Sequence, residues 1–333
     1  MRYLGQYLQG DPGSQHVVQL LTWFKYWGQL YLVYYWSPGD LGMYWKLSRP
    51  RMTHDFIGWF SRQWEGIAKA LCRLHQLPIA PSKSQGLVLR TATPTTRQRA
   101  INRALSLGHA TFTPQNILWF PHDSFEGCSD PNGILQLGVL GSCFSGLERE
   151  RLFRVASNEP FSPNRTITYA APEQVLDRDP RMGRKRSDIW SLGCIFLEAV
   201  TWLLLGPQGV ETDFPEARVW LPSEGSKRVY DITDDGFFCV TMDDNNEHVA
   251  PEAIVNPGVT DWIKKLREHP RCSAYLDEFL GLIGQGMLVV EDGTGEERIS
   301  AADLASVLGC LREKAERDAN FALKPKDKAT MVS

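Results

Sequence analysis

Two short motifs near the middle of the chain decide the fold. The first is Tyr169-Ala-Ala-Pro-Glu173, and the second, Asp188-Ile-Trp-Ser-Leu-Gly193, begins fifteen residues after Glu173. Residues 189–205 are apolar on nearly every side, a pattern typical of a helix buried in the middle of a domain. Ser187 or Asp188 is expected to cap this helix, because short polar side chains accept hydrogen bonds from its first free backbone N–H groups.

The bulk composition bounds the class of protein. The chain has 333 residues, 43% of them apolar and 23% charged, as in an ordinary globular protein with one large domain or two modest ones. Its formal net charge of −3 gives no reason to expect a nucleic acid or a membrane surface as partner. The longest apolar run, residues 199–205, is far too short to span a bilayer. We therefore expect a cytoplasmic protein, with the nucleus as the alternative location.

Seven cysteines are scattered along the chain. Their number is odd and no two have Cys-x-x-Cys spacing, so neither a disulfide framework nor a zinc site is expected. Reduced thiols in a cytosolic protein fit this pattern better.

Hydrophobic periodicity predicts an α+β protein that is rich in helices. Strands are predicted at residues 17–24 and 29–36, joined by a turn at 25–28 into a hairpin, and at 117–120 and 134–140. Helices are predicted at residues 55–75, 189–205, 261–268 and 274–287, and from Ser300, which has capping-box spacing to Asp303. Irregular segments are predicted at residues 78–98, 141–186 and 211–250, and a flexible tail at 319–333. The Arg184-Lys185-Arg186 cluster is predicted to be a solvated turn, with anion or phosphopeptide binding as the alternative.

The two central motifs resemble the end of the activation segment and the start of the central large-lobe helix in eukaryotic protein kinases. Arg298 resembles the kinase arginine that pairs with the Pro-Glu glutamate, which is Glu173 in this chain. The resemblance further implies that Asp188 accepts hydrogen bonds from the backbone of residues 109–111. It covers roughly residues 15–312 and suggests a Ser/Thr-kinase-like protein of a filamentous-fungal group.

The stretch His109-Ala-Thr-Phe-Thr-Pro-Gln-Asn-Ile-Leu118 resembles the kinase catalytic loop, which an active enzyme writes His-Arg-Asp-Leu-Lys-Pro-Glu-Asn-Ile-Leu. In this correspondence Thr111 replaces the catalytic Asp and Thr113 replaces the Lys. Val139 stands where the metal-binding Asp of Asp-Phe-Gly is expected. Of the residues that carry the chemistry in an active kinase, only Asn116 remains. His109 is expected to have a structural role in packing.

These replacements imply that the catalytic set is not intact. A positioned general base contributes about 10²- to 10⁴-fold to a rate, and a hydroxyl cannot replace a carboxylate at neutral pH. Valine cannot ligate a metal ion. The resemblance therefore implies no metal site and no bound Mg²⁺ or ATP, unless an unconventional activity survives.

The front of the chain departs further from the kinase pattern. Residues 32–41 resemble the hinge, so Tyr34, Tyr35 and Trp36 are the candidate nucleotide contacts, with Tyr34 at the gatekeeper position. Residues 1–14 hold neither Lys nor Glu, and no Gly-rich loop precedes the hinge. We therefore expect the phosphate-cradling part of a nucleotide site to be absent. An exposed apolar patch is expected around residues 17–36, with poor solubility or obligate association as its result.

The resemblance implies a kinase-like fold made mainly of the helical C-terminal lobe with remnant small-lobe strands. Residues 1–36 would be the remnant of the small lobe and hinge. Residues 37–318 would be the large lobe, with insertions near 78–98 and 211–250, followed by the tail at 319–333. The first functional hypothesis is an inactive pseudokinase that acts as a scaffold or binding module for an unknown protein partner. The alternative is a Ser/Thr protein kinase that uses ATP and Mg²⁺ with residual activity, or a truncated gene model of one.

Overall fold

A computed structural model describes most of the chain as a mixed α+β structure, in agreement with the predicted class. The described residues are 14–76, 112–138, 168–176, 184–219, 235–241, 252–291 and 297–325. The helices within them are α1 Leu41–Leu47, α2 His54–Gln76, α3 Pro172–Val175, α4 Arg184–Leu205, α5 Phe214–Arg218, α6 Pro257–Arg267, α7 Ala274–Leu282, α8 Ala301–Arg317 and α9 Ala319–Leu323. The strands are β1 Leu20–Tyr26, β2 Gln29–Tyr34, β3 Gly39–Asp40, β4 Ile117–Phe120, β5 Ile134–Leu137, β6 Phe238–Thr241 and β7 Glu252–Val255.

The strands form three small antiparallel sheets, in the orders β1-β2, β3-β4-β5 and β6-β7. The hairpin between β1 and β2 turns at Trp27 and Gly28, whose φ angles are +46° and +79°. A two-residue turn with positive φ at both positions matches the right-handed twist of the flanking strands. Glycine meets this requirement without strain at position 28, and the predicted hairpin is confirmed.

Helix α4 is the centre of the core. Apolar side chains around its whole circumference are buried, among them Ile189, Phe196 and Leu203. By length and composition alone this helix could cross a membrane, but 94% of the relevant window is buried inside the protein. Burial of that extent is what the core helix of a globular domain shows.

Helices α2 and α8 pack against each other beside this core. The apolar face of α2 is continuous from Phe56 to Leu74 and is buried, as its helical spacing predicts. Ser300 caps α8 by accepting a hydrogen bond from the backbone N–H of Asp303. Both the long amphipathic helix and the capped start of the last long helix are therefore confirmed.

The start of α4 corrects two predictions. The helix begins at Arg184, so Ser187 and Asp188 lie inside it and do not form its N-cap. The Arg184-Lys185-Arg186 cluster is likewise helical and is not a solvated turn. Periodicity missed this turn of helix because the polar side chains of Arg186, Ser187 and Asp188 are held by residues from distant parts of the chain.

The prediction that residues 211–250 are irregular is wrong where the structure describes them. Helix α5 and strand β6 lie in this range, and Phe214, Phe237 and Phe238 are buried in the main core. Acidic residues dominate the local composition and suggested exposure. The three phenylalanines nevertheless bury enough apolar area to hold these elements against the core.

The prediction of a flexible tail from residue 319 is wrong for its first residues, and residues 326–333 lie outside the described residues. Residues 319–323 form α9, and the Phe321 ring meets the Tyr275 ring edge-on at 6.2 Å. Other strand and helix ends also differ from the predicted ones. Strand β1 begins at Leu20, β2 ends at Tyr34, and α7 ends at Leu282 before a π-helical turn to Met287. The predicted loop at 78–98 and most of the predicted loop at 141–186 lie outside the described residues.

Candidate functional site

The two central motifs meet the segment before α8 at a buried ion pair. Arg298 Nη1 lies 2.6 Å from Glu173 Oε1, and Arg298 Nη2 lies 2.9 Å from Glu173 Oε2. Ser187 Oγ donates a third hydrogen bond to Glu173, at 2.9 Å. The structure thus brings together the two residues that the resemblance paired, in the bidentate geometry that gives the strongest Arg–carboxylate contacts.

Three contacts besides that with Glu173 hold Arg298 in place. Its Nε donates to the Val289 carbonyl at 2.7 Å, and Nη1 also donates to the Arg186 carbonyl at 3.2 Å. The guanidinium carbon lies 5.0 Å from the centre of the Trp190 ring. These contacts fix the direction of the guanidinium, so that both carboxylate oxygens are met at once.

Burial and pairing act in opposite directions on Glu173. Burial alone would raise the pKa of its carboxyl, but the hydrogen bonds and charge of Arg298 outweigh it and lower the pKa below the ordinary value. Glu173 is therefore ionised at neutral pH. A carboxylate that is ionised and paired in this way has a structural role and is not available to a substrate as a general base.

Arg186, the last residue of the basic cluster at the start of α4, is already engaged in ion pairs. Arg186 Nη1 lies 2.5 Å from Glu291 and Nη2 lies 2.6 Å from Glu297. Hydrogen bonds to Glu297 and Glu291 raise the pKa of Arg186. Since its donors are committed to two carboxylates, Arg186 is a weak candidate for the alternative role of anion or phosphopeptide binding.

Asp188 pairs with a residue that sequence reasoning missed. His75 Nε2 lies 2.8 Å from Asp188 Oδ2, and because a carboxylate only accepts, the imidazole donates. The sequence signal for His75 was only a polar residue in the last turn of α2. The backbone of residues 109–111, which the resemblance names as the partner of Asp188, lies outside the described residues.

The end of the stretch that resembles a catalytic loop forms a tight turn. Asn116 Oδ1 accepts hydrogen bonds from Thr113 N at 3.2 Å and from Thr113 Oγ1 at 3.1 Å. The Asn116 carbonyl accepts from Gly138 N at 2.7 Å and so joins the turn to the end of β5. The Asn116 amide therefore supports the local backbone. His109, Thr111 and Val139 lie outside the described residues.

The three candidate nucleotide contacts lie at the end of β2 and directly after it. Tyr34 packs against a small core cluster, and burial raises the pKa of its phenol to about 12. Within the described part of the chain its hydroxyl has no hydrogen-bond partner. The Tyr35 ring stacks on Phe125 at 5.3 Å, whereas Trp36 is 80% exposed.

A second buried acid, Glu198, was also missed by sequence reasoning. It lies within the apolar helix α4 and accepts hydrogen bonds from Tyr169 Oη at 3.0 and 2.9 Å. Arg218 Nη1 approaches Glu198 only to 3.7 Å. Burial raises the pKa of Glu198 to about 7, against the charge of Arg218 and the hydrogen bond from Tyr169.

Arg218 is held more by aromatic rings than by carboxylates. Its guanidinium carbon lies 4.2 Å from the centre of the Phe214 ring and 4.4 Å from that of Phe237. Its Nε donates to the Asp235 carbonyl at 2.9 Å. Nη1 has no hydrogen-bond partner among the described residues. Glu198 could exchange a proton near neutral pH, but it is 97% buried and in contact with Tyr169, so no substrate reaches it.

The segment 168–176 is thus anchored at two points, by Tyr169 to Glu198 and by Glu173 to Arg298. Within the described ranges, no group of three or more His, Cys, Asp or Glu side chains could hold a metal ion. The candidate site is a structural junction, and the chemistry it displays is hydrogen bonding and charge pairing.

Comparison with known proteins gives one partial similarity and no family assignment. No family model matches the chain. Over 93 residues the chain is 33% identical to the dual specificity protein kinase zak2 of Dictyostelium discoideum. That match covers 28% of this chain and 12% of the kinase. Part of the chain is therefore similar to part of a protein kinase, and a kinase-like relation is supported to that extent.

Proposed function

We propose that this protein is a kinase-related scaffold or binding module that does not transfer phosphate. One observation carries the proposal. Asn116 is the only residue of the kinase chemical set that the sequence retains, and its side-chain oxygen is committed to Thr113. A side chain that closes its own turn serves the backbone and has less capacity to bind a metal ion.

The missing carboxylates support the same function. Phosphoryl transfer depends on positioning and on charge neutralisation by Mg²⁺, which prefers carboxylate oxygens. The sequence has Thr111 and Val139 at the two positions where the resemblance calls for Asp. Neither side chain can accept a proton or hold a divalent cation as a carboxylate does.

We further propose that the fold is kinase-like, chiefly the helical lobe, with the divisions predicted from the sequence. The support is the order of its parts: the amphipathic α2, the turn at 113–116, Glu173, the buried α4, and Arg298 before α8. The partial similarity to a protein kinase points the same way. The cytoplasmic or nuclear location, the unknown protein partner and the lack of a nucleic acid or membrane partner are proposals that rest on composition.

A phosphotransfer assay tests the proposed function. The purified chain is incubated with Mg²⁺ and γ-labelled ATP, with and without a generic protein substrate, beside its Thr111→Ala variant. We expect background incorporation from both. Incorporation by the unmodified chain that Thr111→Ala abolishes would refute the proposal.

Thermal unfolding with and without Mg·ATP provides a second, separate test. Because a ligand that binds only the folded state raises the melting temperature, an unchanged value is expected if no nucleotide site exists. A rise that the hinge variant Tyr35→Ala removes would show a nucleotide site.

The second candidate function is a protein kinase with residual or unconventional activity that binds ATP and Mg²⁺. The observation that favours it is the similarity to a dual specificity protein kinase. It predicts incorporation of phosphate into hydroxyl side chains of the substrate, together with the Mg·ATP-dependent rise in melting temperature. Binding without incorporation would support a nucleotide-regulated scaffold in place of an enzyme.

A further inference from the structure

A cleft of about 370 Å³ lies beside α2, away from the junction of Glu173 and Arg298. Its lining comes from residues 62–69 of α2, residues 127–134 between β4 and β5, the segment before β1, and Arg312 of α8. Small-molecule sites in proteins have volumes of about 300–1,000 Å³. The cleft is therefore large enough for a small organic ligand, and we call it the α2 cleft.

Part of the wall of the α2 cleft is an uncharged histidine. His16 packs so closely on Gly66 that a Cβ atom at position 66 would lie 2.1 Å from the imidazole ring. His16 Nδ1 donates to the Leu135 carbonyl at 2.8 Å, and burial lowers the pKa of the ring to about 4. The ring is therefore neutral at pH 7 and adds no charge to the cleft.

Gln63 brings an unused hydrogen-bond donor to the α2 cleft. Its side chain is only 5% exposed, and it lines the cleft. The backbone N–H of Leu135 donates to Gln63 Oε1 at 2.9 Å, which fixes the orientation of the amide because an N–H needs an acceptor. Among the residues that the structure describes, none accepts a hydrogen bond from Gln63 Nε2. A buried amide nitrogen without an acceptor is costly, so a ligand that supplies one is favoured.

The charged side chains of the lining are paired with one another. Glu65 Oε1 lies 2.7 Å from Lys69 Nζ, and Glu65 Oε2 lies 2.5 Å from Arg312 Nε. Arg62 Nη2 lies 3.1 Å from Asp130 Oδ2. Glu316, which is outside the lining, pairs with both arginines. Positive and negative charges around the cleft are therefore nearly balanced.

The hydrogen-bonding capacity that remains consists mainly of donors. Lys69 carries three N–H groups and is 45% exposed, so N–H groups remain beside its contact with Glu65. Both Glu65 oxygens already accept from cations, and Asp130 accepts from Arg62 and from the backbone N–H of Asn132. A ligand for this cleft must therefore bring acceptors.

A carboxylate suits this lining better than a neutral acceptor or a phosphate. Hydrogen bonds between ions are about twice as strong as those between neutral groups, which favours a carboxylate over an amide. The second negative charge of a phosphate monoester would be repelled by Glu65 and Asp130, because no excess of cations offsets them.

We propose that the α2 cleft binds a small organic acid through a single carboxylate, to which Gln63 Nε2 and Lys69 Nζ donate. The carbon body of the acid fills the rest of the cleft beside Gly66, Gly133 and Ile134. This site does not depend on whether the chain transfers phosphate, so the two proposals stand or fall separately.

Ligand-observed nuclear magnetic resonance on the full chain tests the site. The probes are acetate, benzoate and 3-phenylpropionate at millimolar concentration, compared with benzamide and phenyl phosphate. We expect at least one of the two larger carboxylates to bind more tightly than acetate. Benzamide should bind roughly tenfold more weakly than benzoate, because it lacks the charge that strengthens the hydrogen bond from Lys69.

Two variants assign the binding to the α2 cleft. Gln63→Glu keeps an acceptor for the N–H of Leu135 and replaces the amide donors with a carboxylate oxygen, so it should abolish binding of the acids. Lys69→Gln should weaken binding roughly tenfold. Lys69 is 45% exposed, so this variant keeps the test decisive if Gln63→Glu does not fold. Circular dichroism checks that each variant is folded.

Lys46→Gln is the matched control. Lys46 is likewise an exposed lysine in an ion pair, with Glu211 at 2.9 Å, and it does not line the cleft. This variant should leave the binding unchanged.

Several outcomes would overturn the proposal. One is the absence of binding by all three carboxylates at millimolar concentration. Others are equal binding of benzamide and benzoate, and binding of the acids that persists in folded Gln63→Glu and Lys69→Gln. Tighter binding of phenyl phosphate than of any carboxylate would show that the cleft is a phosphate site instead.

Discussion

In two buried glutamate–arginine pairs of this protein, the pKa values of the glutamates shift in opposite directions. Glu173 and Arg298 form two direct hydrogen bonds of 2.6 and 2.9 Å, whereas Glu198 and Arg218 come no closer than 3.7 Å. The pKa of Glu173 is lowered, and that of Glu198 is raised to about 7. All four side chains are buried, so burial alone does not explain the difference.

The comparison indicates that hydrogen bonds from the arginine itself decide whether the buried carboxyl keeps its charge, since Glu198 accepts hydrogen bonds only from the neutral Tyr169 hydroxyl. Removing an ion from water costs several kcal/mol, and only close, well-aligned donors repay that cost. Arg298 supplies such donors because the Val289 and Arg186 carbonyls hold it in position. Arg218 is instead positioned by the rings of Phe214 and Phe237. These rings stabilise the guanidinium cation but do not direct its N–H groups toward Glu198.

The largest expected effect is that of Arg298→Met. It leaves Glu173 buried without its counter-ion, which costs about 3–5 kcal/mol of unfolding free energy. Urea unfolding followed by circular dichroism measures this loss. The control is Arg317→Met, which removes a cation that is 78% exposed and should change stability by about 0.5 kcal/mol or less. Equal losses in the two variants would contradict a special role for the buried pair.

The two acids should also give stability opposite dependences on pH. The folded pKa of Glu198 lies above its unfolded value of 4.5, so its contribution is fully present below pH 4.5 and is lost as pH rises to about 7. The folded pKa of Glu173 lies below 4.5, so its contribution is present above that pH and is lost as pH falls further.

Glu198→Gln isolates the first of these dependences. The glutamine cannot ionise, so the variant should gain stability relative to the unmodified protein as pH rises from 5 to 8, by about 3 kcal/mol at most. Unfolding free energies at matched pH values give this difference. The comparison with the variant is needed because His16 also titrates in this range. Burial lowers the pKa of His16 to about 4, so its contribution to the free energy of unfolding increases between pH 4 and 6.5, opposite to that of Glu198. A constant difference between the two proteins would mean that Glu198 does not titrate there.

Arg218→Met should cost less than Arg298→Met, about 2 kcal/mol. Without Arg218 the carboxyl of Glu198 can take up a proton and stay buried in neutral form, which avoids an isolated charge. The loss then comes mainly from the ring contacts and the hydrogen bond to Asp235. Urea unfolding at pH 6 and pH 8 checks both the size and the cause. The cost should be greater at pH 8, and the reverse order would contradict the assignment.

The smallest difference in unfolding free energy is expected between two variants that each lose one hydroxyl group. Ser187→Ala removes a donor to the ionised Glu173 and should cost about 2 kcal/mol, whereas Tyr169→Phe removes a donor to the partly protonated Glu198 and should cost about 1 kcal/mol. Both losses are measured by urea unfolding at pH 7. A larger loss for Tyr169→Phe would mean that Glu198 is fully ionised in the folded protein.

The sequence predicted those features that depend on neighbouring residues. The period of 3.6 residues located α2, the apolar character of residues 189–205 located the centre of α4, and Ser300 marked the start of α8, since helix faces and caps are local properties. The β1–β2 hairpin followed from two apolar strands around Gly28. The pairing of Glu173 with Arg298 followed from a family resemblance, because the two residues are 125 positions apart.

Only the tertiary structure decided which polar residues are buried and which apolar residues are not. Glu198 lies in the middle of an apolar helix, and its partners Tyr169 and Arg218 come from other segments. The start of α4 at Arg184 and the burial of Phe214 and Phe321 likewise depend on what packs against them. The two strands of the hairpin were predicted correctly. Whether their faces are exposed depends on what packs against the sheet, and a local sequence pattern does not carry that information. The sequence thus determined where elements form, and long-range packing determined the pKa shifts of the buried acids and the exposure of the hairpin.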